Sequence, residues 1–284
     1  MEDVTSAQPE EDRLDEGKLR AAFAGRAFGR SLRLYDSVGS TQNEARSWAA
    51  AGAPHGALVL AEEQRTGRGR MGRVWHSPRG KGLWMSMVMR VGLTLEQAPH
   101  LTLVTAVAVC RAIRQATGTD ARLKWPNDVL IAGRKAAGIL VELETAGPRM
   151  QALIVGIGIS VNLEDADFPD ELSAKAISLR QAAGERIDRT GLAVKVIHSL
   201  EEMVGFYLRE GFPPVASLWE ALSDTLGNQV SVATALGPVT GTALRLDESG
   251  ALVVRTDSGE ERLLYSGDLS TSANGEAQGL LPKE

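Results

Sequence analysis

Apolar residues recur along the chain with two different spacings. Short runs of continuous or alternating apolar residues are typical of strands, and they are found at residues 31–35, 57–61, 83–89, 122–125, 129–131, 138–143 and 152–159. Apolar residues three or four positions apart are typical of one face of a helix, and they are found at residues 19–23, 41–49, 95–117, 190–210 and 215–223. The mixture predicts an α+β fold with a buried mixed sheet as its core.

The helix predicted at residues 41–49 has a recognisable beginning. Ser40 or Thr41 can cap it, and Thr41 with Glu44 resembles a capping box, in which two side chains satisfy the first backbone N–H groups. The N-terminus of this helix therefore follows closely after the first predicted strand.

The pattern changes after Gly227, where apolar residues alternate in short runs separated by glycine-containing turns. These spacings predict a small β-barrel at residues 225–270, preceded by a larger domain at residues 17–224. Residues 1–16 carry seven acids and one base with almost nothing apolar, so we expect a disordered acidic lead-in. Residues 271–284 are expected to be a frayed tail.

Composition excludes several classes of protein. Of 284 residues, 43% are hydrophobic, as is ordinary for a globular protein, and the single cysteine, Cys110, excludes an internal disulfide. No apolar stretch reaches the length of a membrane span, and acids stand where a secretory signal would have cations, so we expect a soluble, cytoplasmic protein with no membrane partner. The four histidines lack metal-ligand spacing, so no dedicated metal site is expected.

One segment stands out against the net charge of −5. Residues 64–82 contain six cations and no acid, and four arginines alternate with glycines at residues 64–73. Glycine lets backbone N–H groups approach a ligand, and the arginine guanidinium binds phosphate or carboxylate oxygens as a paired donor. We call residues 64–82 the arginine loop and expect it to bind an anion, with a solvated basic loop without ligand as the alternative.

The arginine loop also matches a dinucleotide-binding fingerprint, because residues 67–72 read Gly-x-Gly-x-x-Gly. That fingerprint requires a helix immediately afterwards. Residues 74–78 instead read Val-Trp-His-Ser-Pro, which favours a loop that leads into a strand. We therefore do not favour a Rossmann-type site.

Three other segments have residue types suited to a ligand site. Residues 124–128 read Lys-Trp-Pro-Asn-Asp, and Lys135 lies beside Gly138. Gly156 and Gly158 leave one face of a predicted strand without side chains, which often marks a ligand or another backbone lying against the sheet. Each signal is weak alone, since single lysines are usually on the surface and single glycines are usually packing residues.

Together, and in this order, the motifs resemble those of the biotin protein ligases. They are Gly39-Ser40-Thr41, the segment Ala61–Pro78 that includes most of the arginine loop, Lys124-Trp125-Pro126-Asn127-Asp128, Arg134-Lys135-x-x-Gly138-Ile139-Leu140-Val141-Glu142 and Gly156-Ile157-Gly158-Ile159-x-Val161-Asn162. The resemblance is strong over residues 32–162 and returns in the predicted C-terminal barrel. It implies a catalytic core similar in fold to class II aminoacyl-tRNA synthetases and an SH3-like C-terminal domain. Because few residues precede the first core strand, we expect the ligase-only form without an N-terminal winged-helix domain and without DNA binding.

The resemblance also implies a reaction. ATP, with Mg²⁺, would activate the biotin carboxylate as biotinyl-5′-AMP, and the biotinyl group would pass to a lysine of the biotin carboxyl carrier domain of a carboxylase. ATP and biotin would be substrates, with no tightly bound prosthetic group. Family members often pair through a sheet edge, so a homodimer is one expectation.

By position in the family pattern, Arg68 and Lys135 are the expected catalytic residues, which would neutralise the two anions that must meet. The expected biotin-binding residues are Ser40, Thr41, Gln42, Gln64, Gly67, Arg68, Trp84, Lys135, Gly138, Gly156 and Gly158. The expected ATP- or adenylate-binding residues are Arg68, Gly69, Arg70, Arg73, Trp75, Lys124, Asn127, Asp128 and Ser160. Asp128 is also a candidate for assisting deprotonation of the acceptor lysine.

Two positions depart from the family pattern. Ser160 stands where asparagine is usual, and a hydroxyl cannot pair as an amide does. Gln42 also stands where asparagine is more common, which leaves Gln42 or Asn43 as the residue in the biotin pocket. The alternatives left open are a related lipoate ligase and a non-catalytic biotin or nucleotide sensor, while a nucleic-acid binder fits poorly with 5% aromatic residues and a pI near 5.6.

Overall fold

A computed structural model describes residues 12–146, 149–234 and 237–271 of the chain. The helices are α1 (Glu16–Phe23), α2 (Thr41–Ala50), α3 (His100–Thr117), α4 (Asp170–Ser173), α5 (Leu179–Ala183), α6 (Arg189–Glu210) and α7 (Phe212–Ala221). The strands are β1 (Leu32–Tyr35), β2 (Ala57–Ala61), β3 (Gly82–Met89), β4 (Arg122–Lys124), β5 (Asp128–Ile131), β6 (Arg134–Ala146), β7 (Arg149–Ser160), β8 (Gln229–Thr234), β9 (Gly237–Leu246), β10 (Leu252–Thr256), β11 (Glu261–Leu264) and β12 (Asp268–Thr271).

The first seven strands form one mixed sheet in the order β1-β2-β3-β7-β6-β5-β4. Only β1 and β2 are parallel in it, and the other pairs are antiparallel. Gly158 pairs with Trp84 on one side and with Gly138 on the other, so the glycines lie at the centre of the sheet. The predicted α+β fold with a mixed sheet is confirmed.

Helices cover the two faces of this sheet unequally. The face that carries Met85 and Met87 packs into the main apolar core with α3 and α6. On the opposite face, Ala45 and Ala49 of α2 pack against a small apolar cluster that includes Val88 and Ile154. Because alternate residues of a strand share a face, Gly156 and Gly158 continue the line of Ile154 toward the N-terminus of α2.

The last five strands form an antiparallel sheet in the order β11-β10-β9-β8-β12. Its turn at residues 247–250 docks on the larger domain. The indole N–H of Trp125 donates to the carbonyl of Gly250 at 3.4 Å, and a Cβ added at Gly250 would lie 2.8 Å from Leu103. Gly250 has a φ of +81°, so both its conformation and the available space favour glycine.

The expected acidic lead-in is shorter than the charge pattern indicates. Residues 1–11 and 272–284 lie outside the described residues, and so does nearly all of the expected tail. Leu14, however, is 5% exposed, and Asp15 caps α1 by accepting from the N–H of Lys18 at 2.9 Å. The boundary at residue 16 was therefore wrong. Residues 12–16 are anchored despite their polar composition, because Leu14 is buried and the carboxylates of Asp15 and Glu62 accept from the backbone N–H groups of Lys18 and Leu14.

One helix start differs from expectation, and the cap of another is one of the two expected. The helix α3 begins at His100 and not near residue 95, because Pro99 cannot donate a backbone hydrogen bond and takes the flanking position. The helix α2 is capped by Ser40, whose hydroxyl accepts from the N–H of Gln42 at 3.3 Å. The capping box expected for Thr41 is replaced by a contact from Gln64, whose side-chain oxygen accepts from the N–H of Thr41 at 2.9 Å.

Burial raises the pKa of the Cys110 thiol to about 12, and its Sγ donates to the carbonyl of Ala121 at 3.2 Å. This thiol is therefore an unreactive core group. Within the described ranges, none of the helices has the length and apolar character needed to cross a bilayer.

We predict that His100 makes the domain junction sensitive to acid. Its ring donates to the carbonyl of Glu248 at 3.0 Å, accepts from the Tyr207 hydroxyl at 2.9 Å and stacks on Phe212. Burial lowers the pKa of His100 below its ordinary value of 6.5. As the pH falls below 6.5, His100 is protonated in the unfolded chain before it is protonated in the folded protein. The contribution of His100 to the stability of the folded protein is therefore lost as the pH falls through its folded pKa.

Urea unfolding of wild type and His100→Asn at about pH 7.5 and about pH 5.5 measures this effect. The variant should lose less stability than wild type between the two values. An equal loss in both proteins would contradict the role given to His100.

Candidate ligand-binding site

A cavity of about 380 Å³ lies over the glycines of β6 and β7. It brings together most residues that the sequence marked as site residues. Those that line it are Ser40, Thr41, Gln42, Gln64, Arg68, Gly69, Arg70, Arg73, Trp75, Lys124, Asn127, Asp128, Lys135, Gly138, Gly156, Gly158 and Ser160.

One end of the cavity is polar and uncharged. The hydroxyl of Thr41 donates to the side-chain oxygen of Gln64 at 3.0 Å and lies 2.9 Å from the hydroxyl of Ser86. Ser86 in turn donates to Gln42, whose amide nitrogen donates to the carbonyl of Ile154. These contacts fix hydroxyl and amide groups at the N-terminus of α2, and such neutral groups suit a neutral polar ligand.

The ambiguity between Gln42 and Asn43 is settled by burial. Gln42 is buried and lines the cavity, whereas Asn43 is exposed and does not. Of the two candidates, Gln42 is therefore the one that faces the cavity.

The floor of the cavity is bare backbone. A Cβ added at Gly156 would lie 2.6 Å from the side-chain oxygen of Gln42, and one added at Gly158 would lie 2.5 Å from the indole nitrogen of Trp75. At Gly138 an added Cβ would lie 2.9 Å from the same indole. Glycine is therefore required at these positions so that the Gln42 amide and the Trp75 ring can rest on the sheet.

The two expected catalytic cations line this one cavity from different elements. Arg68 donates to a carboxylate oxygen of Glu142 at 3.1 Å, and the Lys135 amine lies 2.7 Å from a carboxylate oxygen of Asp128. The two cationic side chains are 32% and 35% exposed, and both residues line the cavity. Lys135 also lies 5.0 Å from the ring centroid of Trp75.

Two buried nitrogens at the site have no hydrogen-bond partner in the described part of the chain, namely Nε of Arg68 and Nε1 of Trp75. A buried N–H group without a partner is costly, so such a group in a cavity indicates where a ligand acceptor would bind. Both nitrogens belong to residues that line the cavity.

The arginine loop forms the roof. Arg70 donates to the side-chain oxygen of Asn127 at 3.0 Å, and Asn127 is fixed by donating to the carbonyl of Ile139 at 2.9 Å. Arg73 pairs with Asp268 at the start of β12. The loop therefore spans the cavity from the β4–β5 turn to the C-terminal sheet.

The loop contains a single 3₁₀ turn, Arg70–Gly72, in which Met71 has a φ of 56°. No α-helix follows its glycines before β3 begins. This geometry excludes the Rossmann-type arrangement, in line with the sequence-based interpretation.

Burial changes the acidity of two cations in the cavity. It lowers the pKa of Lys124, an effect opposed by the nearby Asp128 carboxylate and reinforced by Lys135. Burial also lowers the pKa of the Arg70 guanidinium, with Asp128 again opposing it and Arg73 adding to it. Burial therefore disfavours the charged form of both groups, and an arriving anion would offset that penalty.

Two expected biotin-binding residues do not line the cavity. Trp84 is fully buried, donates to the carbonyl of Pro78 at 3.3 Å and packs against Leu163 and Phe168 behind the cavity wall. An added Cβ at Gly67 would lie 2.5 Å from the carbonyl of Trp75, so this glycine allows the arginine loop to fold on itself. Neither position offers a group to a ligand in this arrangement.

Other lining residues were missed by the sequence reasoning. Ser86 had a detectable signal, because it is a polar residue inside an apolar strand. Two other segments gave no such signal in the sequence, namely residues 163–176, which include α4, and residues 267–269 at the start of β12. Their position at the cavity depends on tertiary packing. The lining residues from these two segments are Leu163, Phe168, Leu172, Lys175, Ala176, Gly267, Asp268 and Leu269.

The geometry of the cavity defines a class of site. A neutral polar end, a bare floor and a cationic roof suit an elongated ligand with a neutral head and an anionic reacting end. The N–H groups of Arg68 and Trp75 that lack an acceptor add donors for that ligand. This is the arrangement expected of an enzyme that joins a carboxylate to a nucleotide phosphate.

Comparison with known proteins agrees with that class. The Biotin/lipoate A/B protein ligase family matches residues 35–160, and the Biotin protein ligase C terminal domain matches residues 225–271. The Bifunctional ligase/repressor BirA of Bacillus subtilis is 42% identical over 257 residues, which cover 90% of this chain and 79% of the relative. The chain therefore belongs to the biotin/lipoate A/B protein ligase family.

Two further comparisons concern biotin ligases specifically. The Biotin--[acetyl-CoA-carboxylase] ligase of Mycobacterium tuberculosis is 32% identical over 263 residues, covering 90% of this chain and 95% of the relative. The solved structure of the biotin protein ligase from Aquifex aeolicus in complex with biotin and ATP superposes with a TM-score of 0.77 and 30% identity, covering 86% of this chain and all of that one. The resemblance inferred from the motifs is confirmed.

We predict that Gly156→Ala destabilises the protein by about 1–3 kcal/mol, because the added methyl group would overpack the buried Gln42 amide. Gly92→Ala is the matched control, since a Cβ there meets nothing within 4 Å. Urea unfolding measures the free energy of unfolding of both variants. Equal stability of the two variants would show that the floor tolerates a side chain.

Proposed function

We infer that this chain is an ATP-dependent biotin–protein ligase. It activates biotin as biotinyl-5′-AMP and transfers the biotinyl group to a lysine of a biotin carboxyl carrier domain. The observation that carries this inference is one cavity that joins a neutral polar end to Arg68 and Lys135. The biotin ligases named above support the same conclusion.

The chemistry explains the need for cations. In the first step a biotin carboxylate oxygen attacks the α-phosphorus of ATP, the bond to the bridging oxygen breaks, and pyrophosphate leaves. Two anions must meet for this, so fixed positive charge lowers the barrier both by neutralising them and by stabilising charge on the phosphoryl oxygens. No nucleophilic side chain is required.

We propose that Arg68 and Lys135 supply this charge. Glu142 can release Arg68 to a ligand without being left unpaired, because Arg46 also donates to Glu142 at 3.1 Å. Partly exposed ion pairs contribute little stability, so exchanging Glu142 or Asp128 for a ligand oxygen carries a small penalty. The unpartnered Nε of Arg68 adds a second donor for the same anion.

The remaining roles follow from position along the cavity. Ser40, Thr41, Gln42 and Gln64 bind the neutral ureido head of biotin. Gly138, Gly156 and Gly158 lie beneath its rings and tail once the Trp75 ring, which rests on Gly138 and Gly158 in this structure, has moved aside. Trp75 contacts the adenine, and Gly69, Arg70, Arg73 and Ser160 surround the adenylate. Lys124, Asn127 and Asp128 order the phosphates or meet the acceptor.

Mg²⁺ would arrive with ATP. The carboxylates that line the cavity within the described residues are Asp128 and Asp268, and each is already in an ion pair. The described residues contain no group of three or more acidic, histidine or cysteine side chains that could hold a metal. The ion would therefore be held mainly by phosphate oxygens and water, as is usual for Mg²⁺ with nucleotides.

In the second step the acceptor lysine amine attacks the adenylate carbonyl carbon, an amide forms, and AMP leaves with the electrons of the acyl–oxygen bond. A free lysine is mostly protonated near neutral pH, so a base is needed. We propose that Asp128 assists, since its carboxylate lines the cavity beside Lys135.

The finer organisation is also proposed. Residues 17–224 act as the adenylate-forming domain, similar in fold to class II aminoacyl-tRNA synthetases, and residues 225–270 act as an SH3-like domain. The protein works in the cytoplasm on the carrier domain of a carboxylase, and a homodimer pairs through a sheet edge.

We predict that Arg68→Ala or Lys135→Ala lowers the rate of adenylate synthesis roughly a hundredfold or more, because each removes a preorganised charge partner. Biotin-dependent exchange of labelled pyrophosphate into ATP measures this step. Arg65→Ala, an exposed arginine of the same loop outside the cavity lining, is the control. Near-normal exchange in the two site variants would refute their role.

We predict a different defect for Arg70→Ala. This variant should still make biotinyl-5′-AMP but release it, because the contact from the roof to Asn127 is lost. Chromatography of the filtrate in the absence of an acceptor measures the free adenylate. Release no faster than in wild type would argue against a closing function.

The wild-type protein, supplied with an acceptor domain, distinguishes a biotin ligase from a biotin sensor and from a lipoate enzyme. Labelling of the acceptor with biotin identifies a ligase, binding without labelling identifies a sensor, and labelling only with lipoate identifies a lipoate enzyme.

A further inference from the structure

The first residue of α6, Arg189, has a side chain that is 0% exposed. One of its terminal nitrogens donates to the carbonyl of Gly82 at 2.9 Å, and the other donates to a carboxylate oxygen of Glu62 at 2.7 Å. Glu62 directly follows β2, and Gly82 is the first residue of β3. One guanidinium therefore holds both ends of the segment that contains the arginine loop.

The partners of Arg189 are themselves fixed. The second carboxylate oxygen of Glu62 accepts from the N–H of Leu14 at 2.6 Å. Asp12 accepts from Nε of Arg189 at 3.4 Å and from the side-chain amide of Asn162 at 2.9 Å. These contacts join the described N-terminal residues to the end of β7, so the network surrounds the base of the loop.

The network reaches the cavity through short stretches of backbone. Gln64, which orders the polar end, is two residues beyond Glu62, and Ser160 of the cavity lining is two residues before Asn162. The backbone also closes the base, because the N–H of Gly80 donates to the carbonyl of Glu62 and the N–H of Asn162 donates to the carbonyl of Lys81. Arg189 itself does not line the cavity.

Stabilisation of the fold is by itself a weak explanation for the presence of the buried ion pair between Arg189 and Glu62. Both members are almost fully buried, and replacing a buried ion pair with apolar groups of similar volume is often neutral or stabilising. A glycine- and arginine-rich loop, in contrast, has a large conformational entropy, which is reduced when its ends are fixed.

We propose that Arg189 is a positioning residue that fixes both ends of the arginine loop before substrates bind. It acts through Glu62 and the carbonyl of Gly82 and makes no contact with the reacting groups. Without it, substrate binding must also order the loop, so affinity falls, whereas the rate at saturation is maintained by contacts of the loop arginines with the ligands. This proposal rests on the ligase function.

Three variants of the full chain test the proposal, namely Arg189→Met, Glu62→Gln and the double variant that carries both. The double variant removes both charges together, so it keeps the fold even where Arg189→Met leaves Glu62 buried without its partner. Arg180→Met is the control, because Arg180 forms an exposed ion pair with Glu164 near α6.

In pyrophosphate exchange, the expected result for the double variant is a rise of about tenfold or more in KM for biotin and ATP, with kcat within about threefold of wild type. A merely structural defect would lower the active fraction, and hence kcat, without changing KM. Wild-type KM values in a folded double variant would overturn the proposal.

Limited trypsin digestion gives a readout independent of activity. In the absence of substrates, cleavage at the arginines of residues 65–79 should be about tenfold faster in the double variant than in wild type, since a loosened loop opens more often. Addition of biotin with ATP should restore protection. Unchanged cleavage in the loop, or faster cleavage elsewhere first, would overturn the proposal.

The two readouts separate the possible failures. If the wild type shows no biotin-dependent exchange, the ligase function fails, while the digestion without substrates still decides whether Arg189 fixes the loop.

Discussion

The structure depends on holding a concentration of positive charge in place around one cavity. Four of the cations that line the cavity have an exchangeable partner within the described part of the chain. Arg68 contacts Glu142, Arg70 contacts Asn127, Lys135 contacts Asp128 and Arg73 contacts Asp268. Pairs of this partly exposed kind are weak, so a triphosphate or a carboxylate can replace them without unfolding the site.

The contacts of the cations are exchangeable, whereas the rest of the site is rigid. The three floor glycines belong to the central strands, and α2 is fixed to them by the buried contacts among Thr41, Gln42, Gln64 and Ser86. Sites built on strands and helices keep their geometry better than sites built on loops. The protein therefore combines a fixed pocket for the neutral part of its substrate with an adjustable roof for the charged part.

Much of this could be predicted from the sequence, because the motifs are local and each has a physical reason. Glycines in a strand predicted a bare floor, and alternating arginines predicted an anion site. What could not be predicted depends on contacts between distant segments. Trp84 lies behind the wall because of the way residues after β7 pack over it, and Asp268 reaches the roof only because the C-terminal sheet docks there. The structured start at Leu14 likewise depends on a carboxylate that follows a strand far away in sequence.

The position of Asp268 has a consequence for the relation between the two sheets. Because Arg73 and Asp268 connect the roof to β12, the wall of the cavity belongs partly to the C-terminal sheet. Any shift of that sheet against the larger domain would open a route for water to the mixed anhydride inside. A chimaera that exchanged the C-terminal sheet for a relative's would need an acid at the matching place to keep the cavity sealed.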